Sequence, residues 1–210
     1  QHFTRPETRK RRFSHTILMR TLVALFTLAS ALGFAQTQEE KQDLVTKLKD
    51  SLKSAERALK GVSPAQFTFK AAPDRWSIAE CAEHIAMTEP FLRGMIVNQV
   101  MKAPAPAKRN TSTDDSAVYN RITDRSKPAS APGEIAPKGT YKTRQEALMA
   151  LRAARKDTLA WIKSNKEDMR AHWGESFKMD AYQAFSMIAA HTVRHVKQME
   201  EVKRQPNYPR

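Results

Sequence analysis

From Thr37 to Lys60 the apolar residues Leu44, Val45, Leu48, Leu52, Ala55 and Leu59 recur every three or four positions among charged neighbours. That spacing puts them on one face of an α-helix. Gly61 and Pro64 end it. A second helix starts at Trp76-Ser77-Ile78-Ala79-Glu80, where Ser77 and Glu80 have the spacing of a capping box, and runs to about Met101. Pro90 inside it predicts a kink or break near Thr88-Glu89, because proline lacks the amide proton and crowds the preceding turn. Thr143 and Glu146 repeat the capping spacing and open a third helix. Its stripe of Ala147, Leu148, Leu151, Ala154, Leu159 and Ile162 continues to about Asp168. After a turn containing Gly174, Asp180 caps a fourth helix that extends to about Lys203.

Residues 102–142, between the second and third helices, hold Pro104, Pro106, Pro128, Pro132 and Pro137 with much Ala, Ser, Thr and Lys. Apart from a short helix around Ser116 to Thr123, nothing there has a sustained period. Neither flanking half could close a core alone, so this stretch reads as a crossover within one domain. The prediction is an all-α four-helix bundle, up-down-down-up, with its long crossover between helices 2 and 3. No strand of consequence and no internal repeat is read.

Composition changes the picture mainly at the N-terminus. Met19 opens MRTLVALFTLASALGFAQ, in which Arg20, the apolar run Leu22 to Leu32 and the small residues around Gly33-Phe34-Ala35 have the three parts of a secretory signal. The run is about half the roughly 20 residues that a membrane span needs, so the mature chain is expected to be exported, cut near Ala35 and free of a span. Residues 1–18, with Arg9-Lys10-Arg11-Arg12, read as upstream sequence or, through Arg11-Arg12-Phe13, as part of a twin-arginine signal. The expected organisation is therefore an extension plus signal at 1–35 and one domain at 36–210. The whole chain has 36 basic and 22 acidic residues; residues 1–35 contain six and one of these, leaving 30 and 21, a net charge of +9. These charges are scattered and not interleaved with aromatics, so a solvated basic surface is expected and nucleic acid is not. The single cysteine, Cys81, can form no internal disulfide.

One chemical signal sits in the fourth helix, FSMIAAHTVRHVKQMEE, where His191 and His195 fall one helical turn apart on the same face. Taken alone, the pair is compatible with a shared metal or with two polar residues at the edge of a core. His84 and His172 are the remaining histidines beyond residue 35, and His84, on the second helix, is better placed to join them.

The segments Trp76-Ser77-Ile78-Ala79-Glu80-Cys81-Ala82-Glu83-His84-Ile85 and Ala190-His191-Thr192-Val193-Arg194-His195-Val196-Lys197-Gln198 resemble the DinB-like superfamily of four-helix metalloproteins. The pattern covers roughly residues 40 to 203, and His172-Trp173-Gly174 is similar to the family's H-x-x-G turn, one residue shorter. The resemblance implies that His84, His191 and His195 ligate one divalent metal ion. It also implies a homodimer, as does the apolar surplus on the fourth helix, where Tyr182, Phe185, Met187, Ile188, Val193, Val196 and Met199 cannot share one stripe. Glu80 is read as a cap or as a hydrogen-bond partner of His84, and Gln198 and Arg194 as accessory candidates for substrate contact or for bundle-edge roles. His172 reads as a turn residue, and Cys81 as a small buried one.

Three neutral imidazoles leave a divalent ion its full charge and an open position for water or a thiol, the layout of a catalytic site. Zinc is expected on availability, with nickel, iron or copper also suited to imidazole. Three readings follow: a transferase activating a small thiol, a hydrolase acting through water, and a non-catalytic exported metal-binding or stress-related protein. The substrate class is an unidentified small molecule.

Overall fold

The computed structural model describes residues 37–103, 114–127 and 130–210. The segment read as an export signal lies outside them, so its cleavage and the twin-arginine alternative are not addressed by the fold. Four long helices form the body: α1 (Gln38–Leu59), α3 (Ile78–Met95), α5 (Arg144–Ser164) and α6 (Ala181–Lys203). Two shorter ones, α2 (Pro64–Thr68) and α4 (Asp115–Thr123), lie on the connections. Among the described residues the only β-structure is the antiparallel pair β1 (Trp173–Gly174) and β2 (Met179–Asp180). None of the described helices is long and apolar enough to cross a membrane.

The helix starts follow from local chemistry. Thr37 with Glu40, Ser77 with Glu80, Thr143 with Glu146 and Asp180 with Gln183 form reciprocal capping boxes at α1, α3, α5 and α6. Each satisfies amide protons that the first turn leaves without partners, worth about 1 kcal/mol per cap. Ser63 and Gln66 do the same for α2, a helix that the sequence reading passes over by taking Pro64 only as a terminator. Proline at the first helical position is a good starter, because the proton it lacks would be unpaired there.

Of the kink or break expected near Thr88-Glu89, the structure excludes the break. α3 is continuous through it, and the winding changes only further on, in a π-helical turn at Ile96–Val100. Proline removes one donor, while the neighbouring Ile85, Thr88 and Glu89 stay packed in the interior. Tertiary packing overrides the local penalty here.

α1 packs against α5 and α6, and α3 packs against the same two. Each helix before the crossover is thus covered by helices after it, which is why neither half closes a core alone. The interior has two apolar clusters. One gathers Leu44, Leu48, Ile96, Val100, Ile162, Phe185 and Ile188; the other gathers Ala55, Leu59, Phe67, Ile78, Ile85, Leu151 and Met199. Between them along the helices lie Ser51, Glu89, Arg155 and Thr192, one polar residue from each long helix, all buried. The turn after β1 fits only because Gly174 is bare: a Cβ there would meet Val100 Cγ2 at 2.9 Å.

The crossover is fastened to the face shared by α3 and α6. α4 packs on α6, and the 3₁₀ turn at Gly133–Ile135 packs on α3. The Glu83 carboxylate accepts the backbone amides of Lys138, Gly139 and Thr140 at 2.9–3.1 Å. Arg194 donates to the carbonyls of Ile122, Asp124 and Lys127, and Lys197 to that of Thr123.

Candidate metal centre

His84 enters the interior from the second turn of α3, in the helix that Ser77 and Glu80 start. His191 and His195 come from the middle of α6, one turn apart. Packing of α3 on α6 brings the three rings together: His191 Nε2 lies 3.1 Å from His84 Nε2 and 3.1 Å from His195 Nε2. Among the described residues these three side chains form the group able to hold a metal ion, each offering one ligand atom within 4.8 Å of the others.

The opposite ring nitrogens decide which atoms are available. His84 Nδ1 is 2.7 Å from the Ile135 carbonyl oxygen, which only accepts, so Nδ1 carries the proton. His195 Nδ1 is 2.9 Å from Gln198 Oε1, and Arg125 donates to that same oxygen at 3.2 Å, which fixes the amide with its oxygen toward the ring. His195 is therefore also protonated at Nδ1. Both Nε2 atoms are left as lone pairs facing His191 Nε2, and a single proton on the latter can serve only one of them; the Thr88 hydroxyl stands a long 3.5 Å from His84 Nε2. A cation satisfies all three. Bonds of about 2.0–2.1 Å to a tetrahedral ion place ligand nitrogens about 3.3 Å apart, close to the spacing found here. The donor set fits a divalent metal.

Electrostatics favours the neutral rings that ligation requires. Burial holds the His84 imidazole below the usual histidine range, although its bond to Ile135 works the other way. Burial and the neighbouring His84 and Arg194 charges push His191 down to about 3. Burial with His191 and His84 pushes His195 to about 2. Trp76, immediately before the α3 cap, covers the rings: its indole stacks on His195 at 5.7 Å between centroids and tilts against His84 at 4.9 Å.

The remaining sequence candidates have other occupations. Glu80 accepts the Ser77 amide at 2.7 Å and a 2.9 Å ion pair from Lys70, so its observed partners belong to the cap. Gln198 holds His195, and Arg194 binds the crossover carbonyls. His172 contacts the Ala103 carbonyl and Glu167 and does not join the cluster. Cys81 is buried, and burial pushes its thiol pKa up, away from the reactive thiolate. Sequence reading missed Arg125, Ile135 and the ring contacts of Trp76. Arg125 and Ile135 lie in the crossover, far along the chain from the histidines, and a backbone carbonyl leaves no trace in residue type.

The sequence model of the DinB superfamily matches residues 47–199, a span that contains all three histidines. Comparison with curated proteins and with solved structures finds no match.

Proposed function

Because the chain belongs to the DinB superfamily and draws three imidazole nitrogens to one point, we propose that it is a metal-dependent enzyme of the transferase or hydrolase type. The observation carrying this reading is the pair of fixed tautomers, which turns His84 Nε2 and His195 Nε2 toward His191 Nε2 as lone pairs with too few protons to share. His84, His191 and His195 would hold one divalent ion, zinc on availability, with nickel or iron as alternatives. When bound, such an ion supplies Lewis acidity that brings a proton off water or a thiol near neutral pH. The chain supplies the rest: Ile135 and Gln198 hold the Nδ1 protons and aim the rings, Arg125 fixes Gln198, and Trp76 covers the ring faces against water.

The reading includes export with cleavage near Ala35, supported by the segment from Met19 to Gln36. Export favours the hydrolase form, since small reduced thiols are kept in the cytosol and compartments outside it are oxidising. A homodimer is also proposed, on the family resemblance. Tyr182, Phe185, Ile188 and Met199 are buried within the bundle, which leaves the partly buried Met187, Val193 and Val196 for such a contact. One observation favours the non-catalytic alternative: the partners found for Glu80, Gln198 and Arg194 are all structural. The deciding experiment is a screen of thiol and ester substrates with the purified chain before and after chelation. Turnover lost on chelation and regained with metal supports the enzyme; metal binding without any turnover supports the alternative.

A further inference from the structure

The three histidines come from two helices, and this sets a problem that apolar packing does not solve. His191 and His195 are fixed relative to each other by the geometry of α6, but the backbone that carries His84 is placed against them by the register of α3 against α6. A ligand set must be held to within about 0.5 Å to work. Hydrophobic contacts are non-directional and tolerate small slides between helices.

Arg155, on α5, supplies the missing direction. Its side chain is 1% exposed, and it forms a bidentate pair with the 3% exposed carboxylate of Glu89 on α3, at 2.8 and 2.9 Å. The same guanidinium donates to Thr192 Oγ1 on α6 at 3.1 Å, and to Ser51 Oγ at 2.8 Å and the Leu48 carbonyl on α1. Its two side-chain partners on the ligand helices sit beside the histidines: Thr192 follows His191 directly, and Glu89 follows Thr88, whose hydroxyl is 3.3 Å from His84 Nδ1. A planar fork with bidentate geometry fixes distances and angles in a way that a hydrocarbon of the same size does not. Burying such a pair adds little net stability, so its retention in the middle of an apolar core calls for another reason.

We propose that Arg155 is a positioning residue: by gripping Glu89 and Thr192 together, it sets the register of α3 against α6 and so the placement of His84 opposite His191 and His195. The proposal rests on the metal-centre reading above.

The test is a Co²⁺ titration of the full chain followed by visible absorption, with helical circular dichroism and denaturation alongside. It compares the wild type, the double variant Arg155→Met/Glu89→Met, and Thr192→Val. The double variant leaves no orphan charge, so it keeps or gains stability. Its affinity for Co²⁺ falls at least about tenfold and its absorption bands shift, in the range that loss of ligand support produces. Thr192→Val removes only the link to α6 and shifts affinity and bands in the same direction by a smaller factor. It also decides the matter should the double variant fail to fold. A folded double variant with wild-type affinity and bands overturns the proposal, as does a wild-type response from Thr192→Val if the double variant does not fold. A wild-type chain that takes up no Co²⁺ overturns the metal-centre reading itself, and the proposal with it, which separates the two failures.

Discussion

Two buried polar clusters in this bundle are built on opposite accounting. Around Arg170, one guanidinium meets Glu40 at 2.8 Å, Asp115 at 2.8 and 2.5 Å and Asp180 at 3.2 Å, while its central carbon sits 3.6 Å above the Tyr182 ring. Donors there have acceptors. Burial opposes the charge, but the hydrogen bond to Asp115 and the fields of Asp180, Asp115 and Glu40 outweigh it and raise the arginine pKa. The histidine cluster is the reverse: three uncharged rings, with the Nε2 lone pairs of His84 and His195 facing His191 Nε2 and the protons of those two rings committed elsewhere. The first cluster is complete without a ligand and serves the fold. The second is able to hold a cation, which is what separates a candidate site from a structural network.

That contrast predicts different consequences of damage, the largest at Arg170. Arg170→Met takes the guanidinium from three carboxylates and should cost about 3 kcal/mol, the lower end for a broken buried pair, because Glu40 and Asp115 are 33% and 34% exposed. Urea denaturation measures it. Metal bound per folded chain should not change, and a parallel loss of metal would show that the two clusters are not separate.

Gln198→Leu should act the other way round. It removes the acceptor that holds the His195 proton, so metal affinity should fall 10- to 100-fold, about 1.4–2.7 kcal/mol, while the metal-free chain keeps its melting temperature to within a few degrees. Competition with a chromogenic chelator gives the affinity. An unchanged value would deny Gln198 any part in aiming the ring.

A pH scan of the metal-free chain separates the clusters in a third way. In the metal-free chain the lowered imidazole pKa values mean that the unfolded state binds protons first. The stability they support is therefore complete above the ordinary histidine value of about 6.5 and declines as pH falls toward the folded values of about 3 for His191 and about 2 for His195. Asp115 also has a lowered pKa: burial raises it, but bonds from Arg170 and Gln183 prevail, so its contribution is present above the ordinary aspartate value and lost below it. Denaturation from pH 7 to 3 should show a slope between about 6.5 and 4 that flattens in His191→Ala, and a second slope below about 4 that flattens in Asp115→Asn. A single slope unaffected by either substitution would contradict the assignment.

What the sequence disclosed divides along similar lines. The four long helices were legible because capping residues and apolar spacing are local signals: Ser77 with Glu80 and Thr143 with Glu146 start α3 and α5 where expected. The histidine triad was legible through one local spacing on α6 and a resemblance that added His84. The parts that stayed hidden depend on distant partners. Arg125 reaches Gln198 from 73 positions away, Arg155 reaches Glu89 from 66, and Arg170 reaches Glu40 from 130. Nothing in the type or neighbours of an arginine says which of 36 basic residues will be buried in such a network. The unbroken helix at Pro90 and the new helix start at Pro64 stayed hidden for a related reason: a proline's cost depends on packing and on helix position, and only its type is written in the chain.

In the proposed metal centre, His84, His191 and His195 together bind one divalent ion that the fold itself does not require. Its most direct test is elemental analysis of the purified wild type and His191→Ala, with helical signal and melting of the wild type recorded before and after chelation. About one ion per wild-type chain is expected, and little in the variant. The helices should persist after chelation, with a melting temperature lowered only by the loss of bound metal. Full metal occupancy in His191→Ala would contradict the triad, and collapse of the chelated wild type at room temperature would make the site a structural one.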